Sequence, residues 1–231
     1  MGVLANTAAV IIGSLLGMLF KGGLKQKYQD ILMQALGLST MFIGASGTLS
    51  KMLVISDNSI SVQGTMMIIA NLVIGALVGE FMDIEQKLEL FGEWLKKKVK
   101  RENDSKFVDG FVTSSLVICV GAMAIVGSLQ DGLVGDPSTL YTKAILDFVI
   151  VMVFSSTLGI GVLFSALPIF VYQGAIYLFA GFLSPYLTTH VINNLTLVGN
   201  ILIFAVGVNL CFGKKIKVGN LLPAMIIPFF F

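Results

Sequence analysis

Apolar residues run through this chain in long blocks broken by short polar stretches, with little period-two alternation. A helix needs about 20 apolar residues to cross a hydrocarbon core. Blocks of that order fall at about 3–20, 31–49, 65–82, 107–129, 142–163, 165–183, 195–212 and 218–231. A barrel strand would show about 10 residues of strict alternation; no such rhythm appears, so the spanning form is the helix. The second block is amphipathic and glycine-rich and is expected to face protein. The last is short enough for a partial span. Between the third and fourth blocks lies a polar stretch, 84–106, in which Ile84, Leu88, Phe91, Leu95 and Val99 recur at helical spacing. With the basic run 96–101 behind it and Trp94 at headgroup level, it reads as an amphipathic helix and linker on the cytoplasmic membrane surface. The expectation is a single transmembrane domain over 1–231, all-α, a polytopic membrane helix bundle of about eight transmembrane helices.

Composition supports that reading. The 231 residues are 56% hydrophobic and 12% charged, with a mean hydropathy of +0.92. Soluble domains carry about 25% charged residues. A water-facing surface cannot be covered with half that charge, which excludes a soluble enzyme, a disordered chain and a nucleic-acid binder with a large basic face. The basic residues sort by place: Lys21, Lys25 and Lys27; Lys87, Lys96, Lys97, Lys98, Lys100, Arg101 and Lys106; then Lys214, Lys215 and Lys217. Only Lys51 and Lys143 of the 15 fall elsewhere. The positive-inside rule then selects N-out, with all three clusters in the cytoplasm, and eight spans would also put the C-terminus outside. The first apolar run lacks a basic start and a small-residue cleavage site and is read as a retained span.

Small-xxx-small pairs at Gly13 and Gly17, Gly75 and Gly79, and Ser155 and Gly159 mark close helix packing. They also allow a homodimer. Ile12-Gly13-Ser14-Leu15-Leu16-Gly17 resembles Ile74-Gly75-Ala76-Leu77-Val78-Gly79, and a later apolar-Gly pair follows each, which hints at internal repeats. Cys119 and Cys211 stand alone in apolar runs, without metal or redox spacing.

Most acids fall where water reaches. Glu85, Glu89, Glu93, Glu102 and Asp104 belong to the surface helix, read as solvated, and Asp30 and Asp57 to loops. Glu80, Asp83 and Asp109 lie near the inner interface. The exceptions are Asp131, Asp136 and Asp147, which share the segment 127–147 with Lys143. Two readings stand. In one, 130–141 is an outer loop: Asp136 or Ser138 caps the next helix, and Lys143 pairs with Asp147 at i, i+4. In the other, the loop dips into the membrane, and the three carboxylates line a polar pocket with Lys143 as countercharge, an expense usually tied to function. Asn6, Asn71, Asn200, Asn209, Asn220 and Gln173 fall within or at the ends of spans, where each amide must find a partner. Gly219-Asn220 with Pro223 and Pro228 reads as a broken helix of the kind that builds transporter sites, whereas Pro168 marks a turn between the fifth and sixth spans. The candidate solute- or ion-binding residues are therefore Asp131, Asp136, Lys143, Asp147, Asn209 and Asn220. No phosphate loop, metal pair or protease signature is present, and His190 sits in an outer loop, so no enzyme, cofactor or metal is expected.

Several of these stretches together resemble the YqgA/YdfK-type bacterial inner-membrane proteins: Asn6 with Gly13 and Gly17; Gly75-Ala-Leu-Val-Gly79-Glu80; Gly132-Leu-Val-Gly135-Asp136-Pro-Ser with Lys143 and Leu146-Asp147-Phe148; Ser156-Thr-Leu-Gly159-Ile; and Asn220-Leu-Leu-Pro223-Ala224. The resemblance runs in order over essentially the whole chain. It implies a bacterial cytoplasmic-membrane location and a role in membrane transport, and no substrate. Three functions follow as expectations: an ion-coupled permease for a small solute or ion, a passive channel, and a scaffold or sensor that uses the basic surface helix on the lipid bilayer.

Overall fold

The computed structural model describes residues 1–21, 26–56, 59–120 and 122–230. Eleven helices and one hairpin occur among them: α1 (Gly2–Lys21), α2 (Gln26–Met52), β1 (Leu53–Ser56), β2 (Ser59–Val62), α3 (Thr65–Met82), α4 (Ile84–Lys98), α5 (Phe107–Val120), α6 (Ala122–Val134), α7 (Ser138–Leu158), α8 (Ala166–Leu178), α9 (Ala180–Leu183), α10 (Thr189–Phe212) and α11 (Val218–Leu221). Short 3-10 helices cover Ile160–Ser165, Leu222–Met225 and Ile227–Phe230. Six helical stretches are long and apolar enough to cross a membrane, and up to seven if the bent pair α5/α6 counts as one. The last block, read as a partial span and a broken helix, is a string of short turns over 218–230 interrupted by Pro223 and Pro228, and Phe231 lies outside the described residues. The chain divides into two compact units.

The first unit holds Met1–Ala35, Leu88–Cys119 and Met123–Ser184. Its spine is α1 packed on α7. Gly2 lies against Pro137 and Leu140, Gly13 against Phe148 and Val151, and Gly17 against Met152 and Ser155. Both numberings rise together, so the two helices run parallel. One face of α1 (Gly2, Asn6, Val10, Gly13, Ser14, Gly17) is buried, while Leu4, Ile12, Leu15 and Leu19 are exposed, as a lipid-facing stripe requires. A Cβ on Gly13 would come within 2.6 Å of the Phe148 carbonyl oxygen, and one on Gly17 would overlap that of Met152. The small-residue spacing thus lets two backbones touch. The pair α5/α6 runs the other way: Gly110 meets Leu158, and Gly127 meets Thr139 and Leu140. Together they track α7 from end to end, although they are bent by 59° at the break.

The spans around α7 differ from expectation. The helix ends at Leu158, and Gly159, with φ 83°, turns the chain into Ile160–Ser165. That left-handed backbone favours glycine. Pro168 lies inside the first turn of α8, where a missing N–H costs little, and does not make the turn. The apolar stripe of α4 faces protein in part: Leu95 is buried with Phe107 and Phe111, and Val99, Ile160 and Phe164 pack around them. Leu90, Phe91 and Trp94 remain exposed.

The second unit holds Leu36–Lys87, Val120–Ala122 and Pro185–Phe231. Here α2 and α10 run antiparallel, with Gly37 against Cys211, Gly44 against Phe204 and Gly47 against Asn200. Asp30 lies in α2 rather than in a loop, and His190 in the first turn of α10; Lys25 and Asp57 lie outside the described residues. The strands pair antiparallel, Leu53 opposite Val62 and Val54 opposite Ser61, a small β element in a chain expected to be all-α. The 218–230 segment lies antiparallel to α3, with Gly75 against Ala224 and Gly79 against Asn220. The two matching glycine hexapeptides therefore both bury glycine against backbone, one beside a parallel partner and the other beside an antiparallel one.

Candidate functional site

Lys143 and Asp147 are one helical turn apart on the inner face of α7, with Asp147 near the helix midpoint. They are 5% and 3% exposed. The Lys143 Nζ donates to both Asp147 carboxylate oxygens, at 2.8 and 2.6 Å. Asn6 on α1, fully buried, donates through Nδ2 to Asp147 Oδ2 at 3.0 Å and to Oε1 of the buried Gln173 on α8 at 3.2 Å. Three helices thus converge on one neutral ion pair and two amides. The cluster is incompletely paired: Asn6 Oδ1, an acceptor, and Gln173 Nε2, a donor, have no hydrogen-bond partner among the described residues. A buried polar atom in that state costs about 1–3 kcal/mol. Asn6 and Gln173 stood among the span amides in the sequence, but nothing there joined them to Asp147.

The other two carboxylates do not enter this cluster. Neither reading of 130–141 as a loop holds over its full length, because α6 continues through Val134 and only 135–137 separate it from α7. Asp131 is therefore helical and buried; its Oδ2 accepts the Gly2 N–H at 2.8 Å and the Met1 amino group at 3.0 Å. A carboxylate there complements the unpaired donors and positive end of α1. Gly2 and Asn6 are one turn apart, so Asp131 and Asp147 meet α1 in successive turns. Asp136, half-buried in the connection, accepts from the Ser138 N–H at 3.0 Å and from Gln130 Nε2. The Ser138 backbone N–H holds the Asp136 carboxyl below the usual carboxylate range.

Asn209 and Asn220 organise chain reversals in the second unit. Asn209 donates to the Ile216 carbonyl at 2.7 Å and accepts from the N–H groups of Lys215 and Ile216, which fixes the loop after α10. Asn220 accepts the Glu85 N–H at 2.7 Å and donates to Glu80 Oε2 at 2.7 Å. Glu85 was expected to be solvated and is buried instead: it accepts the Gly219 N–H at 3.0 Å and pairs with Lys214 at 2.7 Å. Its place on a polar helix face concealed this, since the returning C-terminal segment packs against it. Glu80 also binds Lys217, and that hydrogen bond pushes the Lys217 ammonium pKa upward. The broken helix thus spends the polar groups of Asn220 on these acids. Among the described residues, no three His, Cys, Asp or Glu side chains gather as a metal would require.

Comparison with known proteins gives a family. The family described as "Protein of unknown function (DUF554)" matches residues 1–231. The chain is 35% identical over 227 residues to "Uncharacterized membrane protein YdfK" of Bacillus subtilis (strain 168), covering 98% of this chain and 93% of the relative. It is 28% identical over 233 residues to "Uncharacterized protein YqgA" of Escherichia coli (strain K12), again covering 98% and 93%. No solved structure matches the chain.

Proposed function

The chain belongs to the DUF554 family, and from that premise we propose that it is a multi-pass carrier of the bacterial cytoplasmic membrane that moves a small solute or ion through the Lys143–Asp147 cluster. The observation that carries this reading is the buried ion pair together with the free acceptor on Asn6 and free donor on Gln173. Unpaired groups and buried charge both oppose folding, and this cluster joins the two in one place. Here the pair is neutral when closed. When opened, it offers a carboxylate to a proton or cation and an ammonium to an anion, with a donor and an acceptor amide beside them. That set suits a solute bearing both charges, or an ion taken up with its counter-ion. Asp131, which tethers the start of α1, sets where Asn6 sits on that pair.

Helix directions support seven crossings. If each long helix spans, α1 and α7 running parallel requires an odd number of crossings between them. Helices α2, α3 and the α5/α6 pair supply three. The antiparallel α2 and α10 require an even number, and α3, α5/α6, α7 and α8 supply four. With the positive-inside rule, α4 and the 213–217 loop face the cytoplasm, while the hairpin and 135–137 face outward. In a Cys119→Ser/Cys211→Ser background, Asn103→Cys is expected to react with an impermeant maleimide only after permeabilisation, and Ser138→Cys in intact cells; the reverse pattern contradicts this topology.

Transport is tested with energised membrane vesicles given a uniformly 13C-labelled bacterial extract and read by mass spectrometry. Vesicles carrying the wild-type chain are expected to accumulate at least one labelled solute above vesicles lacking it, and Asp147→Asn is expected to lower that accumulation at least about tenfold. No labelled solute above background, or equal accumulation with Asp147→Asn, overturns the proposal.

A further inference from the structure

Of the two lysines outside the basic clusters, Lys143 is matched to Asp147. Among the described residues Lys51 is not matched to a carboxylate: its Nζ donates to the neutral Oδ1 of Asn193 at 2.9 Å. It lines a cavity of about 300 Å³ within the second unit, at the end of the α2/α10 pair away from the 213–217 loop. Its polar lining includes Lys51, Gln63, His190, Asn193 and Asn194. These carry the chemistry, and no carboxylate is among the described lining residues.

We infer that this cavity binds a small oxyanion, a carboxylate- or phosphate-bearing solute, with Lys51 as its principal charge. The volume is at the lower end of the range for ligand pockets, enough for a few heavy atoms. An ammonium has three donors, and Asn193 takes one from Lys51. The amide nitrogen of Asn193 sits on the same group that holds the lysine, so positive charge and a neutral donor adjoin. Asn194 Nδ2 lies 3.4 Å from His190 Nδ1, which couples the imidazole to a second amide one turn away. Gln63 Nε2 donates to the Lys51 carbonyl at 3.3 Å, and its backbone N–H closes on Met52 at 2.8 Å. The hairpin thereby pins the wall from which Lys51 extends. A lysine in the last turn of α2 also complements the helix's carbonyl end. That explains a cation at position 51; it does not explain three carboxamides and an imidazole gathered around it. Donor-rich walls without an acid disfavour cations and favour anions, by charge-assisted hydrogen bonding.

The inference does not rest on the carrier reading, and its test uses no gradient. Purified full-length protein in detergent is unfolded thermally across a titration of sodium phosphate and of sodium succinate, with sodium chloride at matched ionic strength as reference. At least one oxyanion is expected to raise Tm saturably beyond chloride. Lys51→Met is expected to weaken the apparent Kd at least about tenfold, while Lys51→Arg stays within about threefold. Lys97→Gln, far along the chain on α4, leaves it unchanged. Should Lys51→Met not fold, His190→Ala/Asn194→Ala carries the test with an expected loss of about fivefold or more. No saturable response to either oxyanion, or a response undiminished in these variants, overturns the inference.

Discussion

Lys143→Met and Asp147→Leu, made singly, are each expected to destabilise the protein by about 3–5 kcal/mol, and the double variant to regain most of that loss. Each single change strands a charge that is at most 5% exposed, with no second ion of opposite sign bonded to it among the described residues. The double change exchanges a neutral pair for two apolar side chains of similar volume, which an apolar helix bundle accepts. Asn6 keeps one partner, because its Nδ2 still reaches Gln173 at 3.2 Å. Denaturant unfolding of the four proteins in one detergent gives the coupling energy directly. Near-additive losses would mean that the two charges do not depend on one another.

Gly17→Ala and Gly79→Ala are the second pair of large effects, each about 3 kcal/mol, with loss of folded yield. The added methyl would overlap a backbone oxygen, that of Met152 in the first case and of Asn220 in the second. A backbone carbonyl cannot turn aside as a side chain can, so α1 must separate from α7, or the C-terminal segment from α3. The consequences differ. Moving α1 withdraws Asn6 from Asp147, whereas moving the C-terminal segment breaks the contacts of Asn220 with Glu80 and Glu85. Gly174→Ala, with no described residue's atom within 4 Å of the new atom, is the control. Its stability is expected to stay within about 1 kcal/mol of wild type, on the favourable side through helix propensity. Comparable losses at all three glycines would point to the glycine backbone itself rather than to close helix contact.

Most spans were legible because a lipid-facing helix must be apolar over its whole length; α1, α3 and α10 follow the hydropathy closely. The break between α5 and α6 was hidden because the residues on either side of it, 117–120 and 122–125, are all apolar, so no polar residue marks it. The hairpin was hidden by its brevity, although Ser59-Ile60-Ser61-Val62 does alternate with period two. The break in 218–230 was legible, because Pro223 and Pro228 outweigh hydropathy. At the site, the Lys143–Asp147 pair followed from i, i+4 spacing, since both residues lie on one helix. Asn6, Gln173 and Glu85 acquire their partners from residues more than a hundred positions away, and one sequence holds no record of such pairings. Asp131 and Asp136 looked like members of one pocket because they neighbour Lys143 along the chain. In the fold, a helix end and a tight connection claim them separately.

The central claim is that the Lys143–Asp147 pair carries transport rather than merely holding three helices together. The most direct measurement is labelled-solute accumulation by vesicles bearing Lys143→Met/Asp147→Leu, once that variant is shown to unfold at a wild-type-like denaturant concentration. The account predicts a folded protein that accumulates no more than empty membranes. A folded double variant that accumulates solute at the wild-type rate would contradict it.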